Sequence, residues 1–239
     1  FWNASSAIVN TLQRAMNERL WANDGQTIKL PLKMLVAGSN RWPGADEKEV
    51  GAIFDRFLLR CTVRPIASAR GIDRLLWSPD LQPQLSTSIT PAEIDEACAD
   101  SRALPWTDAA RSALLSILRE AKSEGIIPGD RRMRKSVFVA QAFAWLQGHA
   151  QVETDDLEIL AHVLWDDPTE QPAKLAQIVG RIANPEGMRI NSLLIEAEQI
   201  ISATDLRDLS QTASACKKLA EIHGKLTSAT GSRAQMAAE

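Results

Sequence analysis

Met34-Leu35-Val36-Ala37-Gly38-Ser39-Asn40 is a short apolar run that ends in two polar residues. A run of this kind is typical of a strand buried on both faces of a parallel sheet. Proteins with such sheets place ligands at the carboxyl ends of the strands, where the amide of Asn40 is expected. An amide at that position can orient a water molecule without taking its proton. Asparagine is also common in turns, so a structural interpretation of Asn40 stays open.

Signals for both helix and strand surround this run. Helical spacing extends over residues 5–19, and Asp24-Gly25 lies between two β-prone segments, which is typical of a tight hairpin. Residues 50–59 have helical spacing again, and Cys61-Thr62-Val63 predicts a further strand. We therefore predict that residues 1–80 form part of an α/β core with a helix, a β-hairpin and two strands of a parallel sheet.

Residues 77–88 contain two prolines among Ser and Gln, and we interpret them as a linker. Helix signals then dominate the chain. Residues 88–167 are predicted to form one helical bundle, with helix starts marked by Thr90, Thr107, Asp130 and Thr154.

Residues 170–239 are predicted to form a carboxyl-terminal helical extension. Its last two helices, at about 188–202 and 205–227, carry apolar stripes that are expected to face each other. The stripe on the first is Leu193, Leu194, Ala197, Ile200 and Ile201, and the stripe on the second is Leu206, Leu209, Ala213, Cys216 and Leu219.

Composition excludes some classes of protein. The 239 residues are 45% hydrophobic and 24% charged, as in an ordinary globular protein, and the net charge of −3 argues against a general polyanion binder. No apolar run approaches the ~18 residues of a membrane span. The three cysteines are widely spaced, so we expect reduced thiols in a cytoplasmic protein. The chain begins with Phe1, which suggests a fragment.

No motif predicts catalysis by this chain alone. The three histidines show no metal-ligand spacing, so no metal site is predicted. Gly224-Lys225 resembles the end of a phosphate-binding loop, but Leu219 and Leu226 occupy positions that require Gly and Ser or Thr. No hydrophobic run ends in Asp-Glu, the pair that would hold magnesium. We therefore predict that the isolated chain does not hydrolyse a nucleotide.

Two groups of arginines are candidates for binding an anion. Arg56 and Arg60 are four residues apart on one predicted helical face, although an ion pair with Asp55 is the simpler interpretation. Residues 129–135 place four cations at a helix start, where the helix dipole disfavours them. A bound phosphate would offset that cost, and a solvated basic turn explains it equally well. Nucleic-acid binding is disfavoured because no aromatic residues are interleaved with the cations.

These features occur in an order that resembles the MoxR-type AAA+ ATPases, and within them the RavA-like branch. The resemblance rests on Asn17-Glu18-Arg19, the Asp24-Gly25 hairpin, residues 35–40, residues 54–60 and Asp130-Arg131, and on Val163-Leu164-Trp165-Asp166 at its end. It covers residues 1 to about 167 and implies that the Walker A and Walker B motifs lie upstream of Phe1.

The resemblance also implies roles for individual residues. Asn40 would be sensor 1, which positions the attacking water. Arg56 would be the arginine finger that reaches the neighbouring subunit's nucleotide, with Arg60 as the second candidate. Arg131 would be sensor 2, which contacts the γ-phosphate of its own subunit's nucleotide, and Arg132 is the alternative one residue away.

The function implied is that of an oligomeric ring, a hexamer by family pattern, that couples ATP hydrolysis to chaperone-like remodelling of partner proteins. ATP and Mg²⁺ would be held mainly by residues outside this chain, and a von Willebrand factor A domain protein is the expected partner. The alternative is a non-catalytic interaction module, with residues 187–227 as its assembly surface.

Overall fold

The computed structural model describes residues 6–23, 25–42, 53–63, 65–78, 85–204 and 208–227. Helices dominate these residues, as the sequence predicts. The amino-terminal part begins with α1 (Ser6–Glu18), which leads into β1 (Leu20–Asn23) and β2 (Gln26–Lys29). The two strands pair antiparallel, and Gly25 in the turn between them has a φ of 78°, which glycine adopts without strain. The predicted hairpin is confirmed, although Asp24 itself lies outside the described residues.

The two predicted strands of a parallel sheet do not form. Residues 34–38 and 61–63 have no regular strand structure, and β1–β2 is the sheet found among the described residues. A parallel strand needs neighbouring strands and cover on both faces. Met34, Val36 and Val63 instead have 77%, 78% and 92% of their surfaces exposed. The strand prediction for residues 34–38 is therefore wrong, because no described segment pairs with this apolar run.

The predicted helix at residues 50–59 ends earlier than its periodicity suggested. Helix is present at Ile53 and Phe54, a turn follows at Asp55 and Arg56, and residues 43–52 lie outside the described part of the chain. The amides of Arg56 and Phe57 donate hydrogen bonds to the carbonyl oxygens three residues earlier, and these bonds close the turn. A further helix, α2 (Ala69–Trp77), is capped by Ser68 and was not predicted.

The central bundle contains α3 (Pro91–Ala103), α4 (Asp108–Ser123) and α5 (Asp130–Leu146). Thr90 and Thr107 cap the first two helices as predicted, and Thr90 forms a reciprocal capping box with Glu93. The cap of α5 is Gly129 rather than the predicted Asp130, which is the first helical residue. The fourth element is a 3₁₀ helix, Asp155–His162, where an α-helix from Thr154 to about Trp165 was predicted.

One core joins the bundle to the amino-terminal part. Its fully buried members include Ile117, Ala140, Leu160 and Leu175. Ile53 and Phe54 belong to the same core, so the turn that carries Arg56 is packed directly against the bundle.

Aromatic rings reinforce this junction. Trp42 contacts Phe54 and Trp165 edge-on, with ring centres 5.6 and 5.4 Å apart. Such pairs add about 0.5–1.5 kcal/mol beyond area burial.

The carboxyl-terminal part contains α6 (Gln171–Ala183), α7 (Pro185–Ala203) and α8 (Leu209–Thr227). The predicted stripe on α7 is largely confirmed, because Leu193, Leu194, Ala197 and Ile200 pack on a small core, whereas Ile201 is exposed.

The predicted stripe on α8 is wrong in its orientation. Leu209, Ala213 and Cys216 are exposed, Leu206 lies outside the described residues, and the buried side chains are Ala215, Ile222 and Leu226. The helix carries two apolar stripes, and α7 covers the second.

Candidate functional site

Arg56 and Arg131, which lie 75 positions apart in the sequence, meet at one side chain. The Nε of Arg56 donates to Asn17 Oδ1 at 3.0 Å, and an Nη of Arg131 donates to the same oxygen at 3.2 Å. Asn17 stands in the last turn of α1, Arg56 in the turn after Phe54, and Arg131 in the first turn of α5. Three separate elements therefore bring both predicted phosphate-binding arginines to one place.

These residues line a cavity of about 470 Å³. Its cations include Arg19, Arg56, Arg131 and Lys135, and we call this group, with Asn17, the cationic cavity. Lys33 lines it too, but its ammonium is bound by the carboxylate of Asp95 at 2.5 Å.

Among the described residues that line the cavity, cationic side chains outnumber carboxylates. Burial lowers the pKa of Lys135, and Arg131, Arg132 and Arg19 lower it further, while Asp55 acts in the opposite direction. A cation whose charged form is disfavoured by neighbouring cations gains stability when an anion enters. Arginine side chains match the geometry of phosphate oxygens, so the cavity suits a phosphate group.

Arg60, the second candidate for the finger, is buried to 3% exposure. Its guanidinium donates to the carbonyl oxygens of Phe57 at 3.0 Å and Phe54 at 2.9 Å, and it also donates to the carbonyl of Trp165. Burial, and secondarily the charge of Arg132, lowers its pKa to about 10, so it stays charged at neutral pH. All these partners lie within the junction between the turn and the bundle.

Arg132, the alternative to Arg131, is also buried. Its two Nη groups donate to Val163 O at 2.9 Å and to the main-chain and side-chain oxygens of Asp55 at 3.1 and 2.8 Å. Its Nε lies 3.4 Å from Asp166 Oδ1 but is not aligned for a hydrogen bond. Arg131 is exposed and lines the cavity, so the two neighbours occupy different environments.

Asn40 is exposed and lines a different cavity, of about 720 Å³, together with Arg60 and Cys61. Ala37, Phe57 and Leu59 contribute to the walls of both cavities, so the two are adjacent. The structure brings Arg56 and Arg131 together and leaves Asn40 on the other side of this shared wall.

Three residues of the cationic cavity, Asn17, Arg19 and Lys135, carry no role in the sequence prediction. Asn17 belongs to the Asn17-Glu18-Arg19 motif of the family resemblance, and Lys135 is one of four cations in residues 129–135. The spacing of four between Arg131 and Lys135, one helical turn, was the available signal that they share a face. No sequence signal linked Asn17 to either arginine.

A second polar cluster joins the end of α5 to the 3₁₀ helix. Ligand atoms of His149, Asp155 and Asp156 lie within 4.8 Å of one another. His149 Nδ1 lies 2.9 Å from Asp156 Oδ1, and the amide of Glu153 donates to Oδ2 at 2.8 Å. Asp156 is 1% exposed, and these hydrogen bonds account for its burial without an ion.

The chain matches two protein-family models. Residues 1–98 match the model described as the MoxR domain in the MoxR-vWA-beta-propeller ternary systems. Residues 111–179 match the model of an AAA lid domain. The chain is part of a MoxR-family AAA+ protein. The MoxR match contains Asn17, Asn40 and Arg56, and the lid match contains Arg131.

Two uncharacterized proteins of Methanocaldococcus jannaschii are similar to this chain. The first is 33% identical over 171 residues, which are 71% of this chain and 44% of that protein. The second is 34% identical over 166 residues, 70% of this chain and 43% of that protein. The chain therefore spans less than half the length of the curated relatives it matches. Among the described residues, no helix is long and apolar enough to cross a membrane.

Proposed function

We propose that the cationic cavity binds the phosphates of ATP in an oligomeric MoxR-family ATPase. The observation that carries the proposal is the shared contact of Arg56 and Arg131 with Asn17 Oδ1. Asn17 Oδ1 accepts from both guanidiniums, and the amide itself carries no charge. An incoming γ-phosphate would replace this neutral acceptor with a charged one, and charge-assisted hydrogen bonds are about twice as strong.

The proximity of the two arginines favours one change to the roles implied by family resemblance. That resemblance assigned Arg56 to the neighbouring subunit's nucleotide and Arg131 to the nucleotide of its own subunit. Two guanidiniums that share one hydrogen-bond acceptor lie close enough to contact the same phosphate. We therefore assign both to a single nucleotide, the one held by the neighbouring subunit.

The buried candidates receive a different assignment. Arg60 and Arg132 are bonded to main-chain carbonyls inside the junction, which supports a structural role for both rather than contact with ATP. Asn40 lines the adjacent cavity, and we retain it as the residue that orients the attacking water. Its position across the shared wall supports action on a second nucleotide, bound by its own subunit.

The activity belongs to the whole protein. ATP and Mg²⁺ would be held mainly by residues outside this chain, and the cationic cavity would supply positive charge as the phosphoryl group is transferred. We propose a ring that remodels partner proteins in the cytoplasm, with a von Willebrand factor A domain protein among its partners. The description of the matched MoxR model supports that partner, and assignment to the RavA-like branch stays a prediction.

The first experiment replaces Arg56 with Ala in the full-length protein and measures ATP turnover in the assembled oligomer. An arginine finger is worth about 10³–10⁵ in rate, so we expect turnover to fall by about 10³ or more. Arg119→Ala, at an exposed position of α4, is the matched control and should keep full turnover. Wild-type turnover in Arg56→Ala would refute the finger assignment.

A second experiment tests whether Arg56 and Arg131 contact the same anion or two different ones. Calorimetric titration of the 239-residue chain with inorganic tripolyphosphate should show one binding event that weakens at high salt. Arg56→Ala and Arg131→Ala should each weaken that event, because both side chains contact the same anion. An event that only one of the two substitutions affects would contradict the shared site.

A specific observation also supports the alternative, a helical interaction module. Ile195, Ile201 and Leu209 on α7 and α8 have 55%, 61% and 86% of their surfaces exposed. Exposed apolar side chains on one hairpin are typical of contact with another protein. Size-exclusion chromatography with and without residues 187–239 tests this, since unchanged oligomeric state and partner binding would show that the hairpin only packs on its own core.

A further inference from the structure

We propose that Arg132, Asp55 and Asp166 form a positioning cluster that fixes Arg56 and Arg131 relative to each other; this inference rests on the proposed function of the cationic cavity. The cluster does not touch the anion. It acts through the two residues that do.

Sequence neighbours make the connection direct. Asp55 precedes Arg56, and Arg132 follows Arg131. The ion pair between Arg132 Nη and Asp55 Oδ1, at 2.8 Å, therefore ties together the two main-chain segments that carry the cavity arginines. The same guanidinium also donates to the main-chain oxygen of Asp55 at 3.1 Å, so it holds the backbone of the turn as well as its side chain.

Asp166 extends the tie to a third segment. Its Oδ1 lies 3.2 Å from an Nη of Arg60 and 3.4 Å from Nε of Arg132. The amide of Arg60 donates to His162 O at 3.0 Å, and Arg132 donates to Val163 O at 2.9 Å. The turn at residues 53–60, the start of α5 and residues 162–166 are thus linked through two guanidiniums and two carboxylates.

The free-energy cost of burying these charged groups indicates that the cluster has a role beyond stabilising the fold. Arg60 and Arg132 are 3% and 1% exposed. The free-energy cost of removing charged groups from water offsets most of the stabilisation that comes from their attraction. Apolar side chains of similar volume often replace buried ion pairs without loss of stability. What an apolar replacement cannot supply is directional bonding to several main-chain oxygens at once. Arginine offers five donors in a rigid plane, and lysine does not.

The rate of phosphoryl transfer depends strongly on where the groups that contact the phosphate lie. A displacement of about 1 Å in a group that contacts the reacting centre can cost roughly 10²-fold in rate. In the turn that carries Arg56, the main-chain hydrogen bonds join residues three positions apart. They run from Arg56 N to Ile53 O and from Phe57 N to Phe54 O. Such a short turn relies on its packing and on the Asp55 contact to hold its orientation.

The test uses Asp55→Asn and Arg132→Lys, with Asp100→Asn as the matched control at an exposed position of α3. In the full-length protein, we expect kcat for ATP hydrolysis to fall about 10- to 100-fold in both variants, with KM for ATP changed less than about twofold. In the 239-residue chain, we expect tripolyphosphate to bind about tenfold more weakly, because a displaced Arg56 or Arg131 would lose one charge-assisted hydrogen bond to the anion. Asp55→Glu should recover part of both losses, because it restores the charge.

The measurements include thermal unfolding of each variant, since loss of a buried contact also lowers stability. Binding at a temperature 20 °C below each variant's own midpoint removes that effect, and weaker binding there supports positioning. Wild-type binding and wild-type kcat in folded Asp55→Asn and Arg132→Lys would overturn it. If Arg56→Ala also keeps wild-type turnover, the proposed function itself fails, and that pattern differs from failure of the positioning cluster alone.

Discussion

The guanidinium carbon of Arg60 lies 3.7 Å from the ring centre of Phe54, and both side chains are buried. The same guanidinium lies 5.3 Å from the ring centre of Trp165, and the two rings are themselves 6.3 Å apart. A cation that contacts two neighbouring aromatic rings and donates to the carbonyl oxygens of both residues holds the amino-terminal turn on the bundle.

Arg60→Ala is therefore expected to destabilise the fold. The substitution leaves two buried carbonyl oxygens without this donor, and each unsatisfied buried group costs about 1–3 kcal/mol. It also removes a partner of Asp166, whose side chain is half exposed. Urea denaturation of the 239-residue chain measures the loss. Arg119→Ala on the surface of α4 should change stability by less than about 0.5 kcal/mol. A loss of that small size in Arg60→Ala would show that the contacts of Arg60 contribute little to the free energy of unfolding.

Asn17→Asp is expected to weaken binding of tripolyphosphate. The new carboxylate would pair with Arg56 and Arg131 and compete with the anion, and a partly exposed ion pair of about 1 kcal/mol corresponds to about fivefold in affinity. Calorimetry at low salt gives the comparison. Asn17→Ala serves as the control because it adds no charge. Equal affinity in wild type and Asn17→Asp would place the anion elsewhere.

His149 should make stability depend on pH. Its hydrogen bond with Asp156 raises its pKa above the ordinary value of 6.5, and burial acts in the opposite direction. Because the folded-state pKa is the higher one, the protonated side chain contributes stability that is fully present below pH 6.5 and is lost as pH rises through the folded-state pKa.

The measurement is the melting temperature of wild type and His149→Gln from pH 5 to pH 9. The difference between them should be largest at acidic pH and should shrink toward alkaline pH. His223→Gln, at an exposed position of α8, is the control. A difference that grows with pH would contradict the assigned direction.

Leu160→Ala tests the role of the 3₁₀ helix in the core. Leu160 is fully buried, and removing such a side chain costs about 2–5 kcal/mol through lost burial and the remaining cavity. Leu115→Ala makes the same change at a position that is 60% exposed and should cost far less. Denaturation midpoints compare the two, and similar losses would mean that the 3₁₀ helix does not anchor the core.

The sequence alone was sufficient for the elements that local chemistry specifies. Thr90 and Thr107 define the starts of α3 and α4 through their own hydroxyl groups, and Gly25 permits the hairpin turn through its positive φ. The resemblance of the ordered motifs also indicated the MoxR family, which the family matches support. These features depend on residues a few positions apart, so a linear pattern contains them.

Tertiary structure decided what local pattern could not. The apolar run at residues 34–38 is β-prone, yet strand structure requires a partner that no described segment provides. Periodicity alone could not choose between the two apolar stripes of α8, because only packing against α7 selects one.

The same limit applies to the site. The family resemblance ranked Arg56 ahead of Arg60 and Arg131 ahead of Arg132, although all four side chains carry the same charge. Folding buries Arg60 and Arg132 among main-chain carbonyls and brings Arg56 and Arg131 to Asn17. Residue identity determined that the chain carries cations suited to phosphate. The distances set by α1, the turn and α5 decided which of those cations share a cavity, because burial and proximity between distant segments arise only when the chain folds.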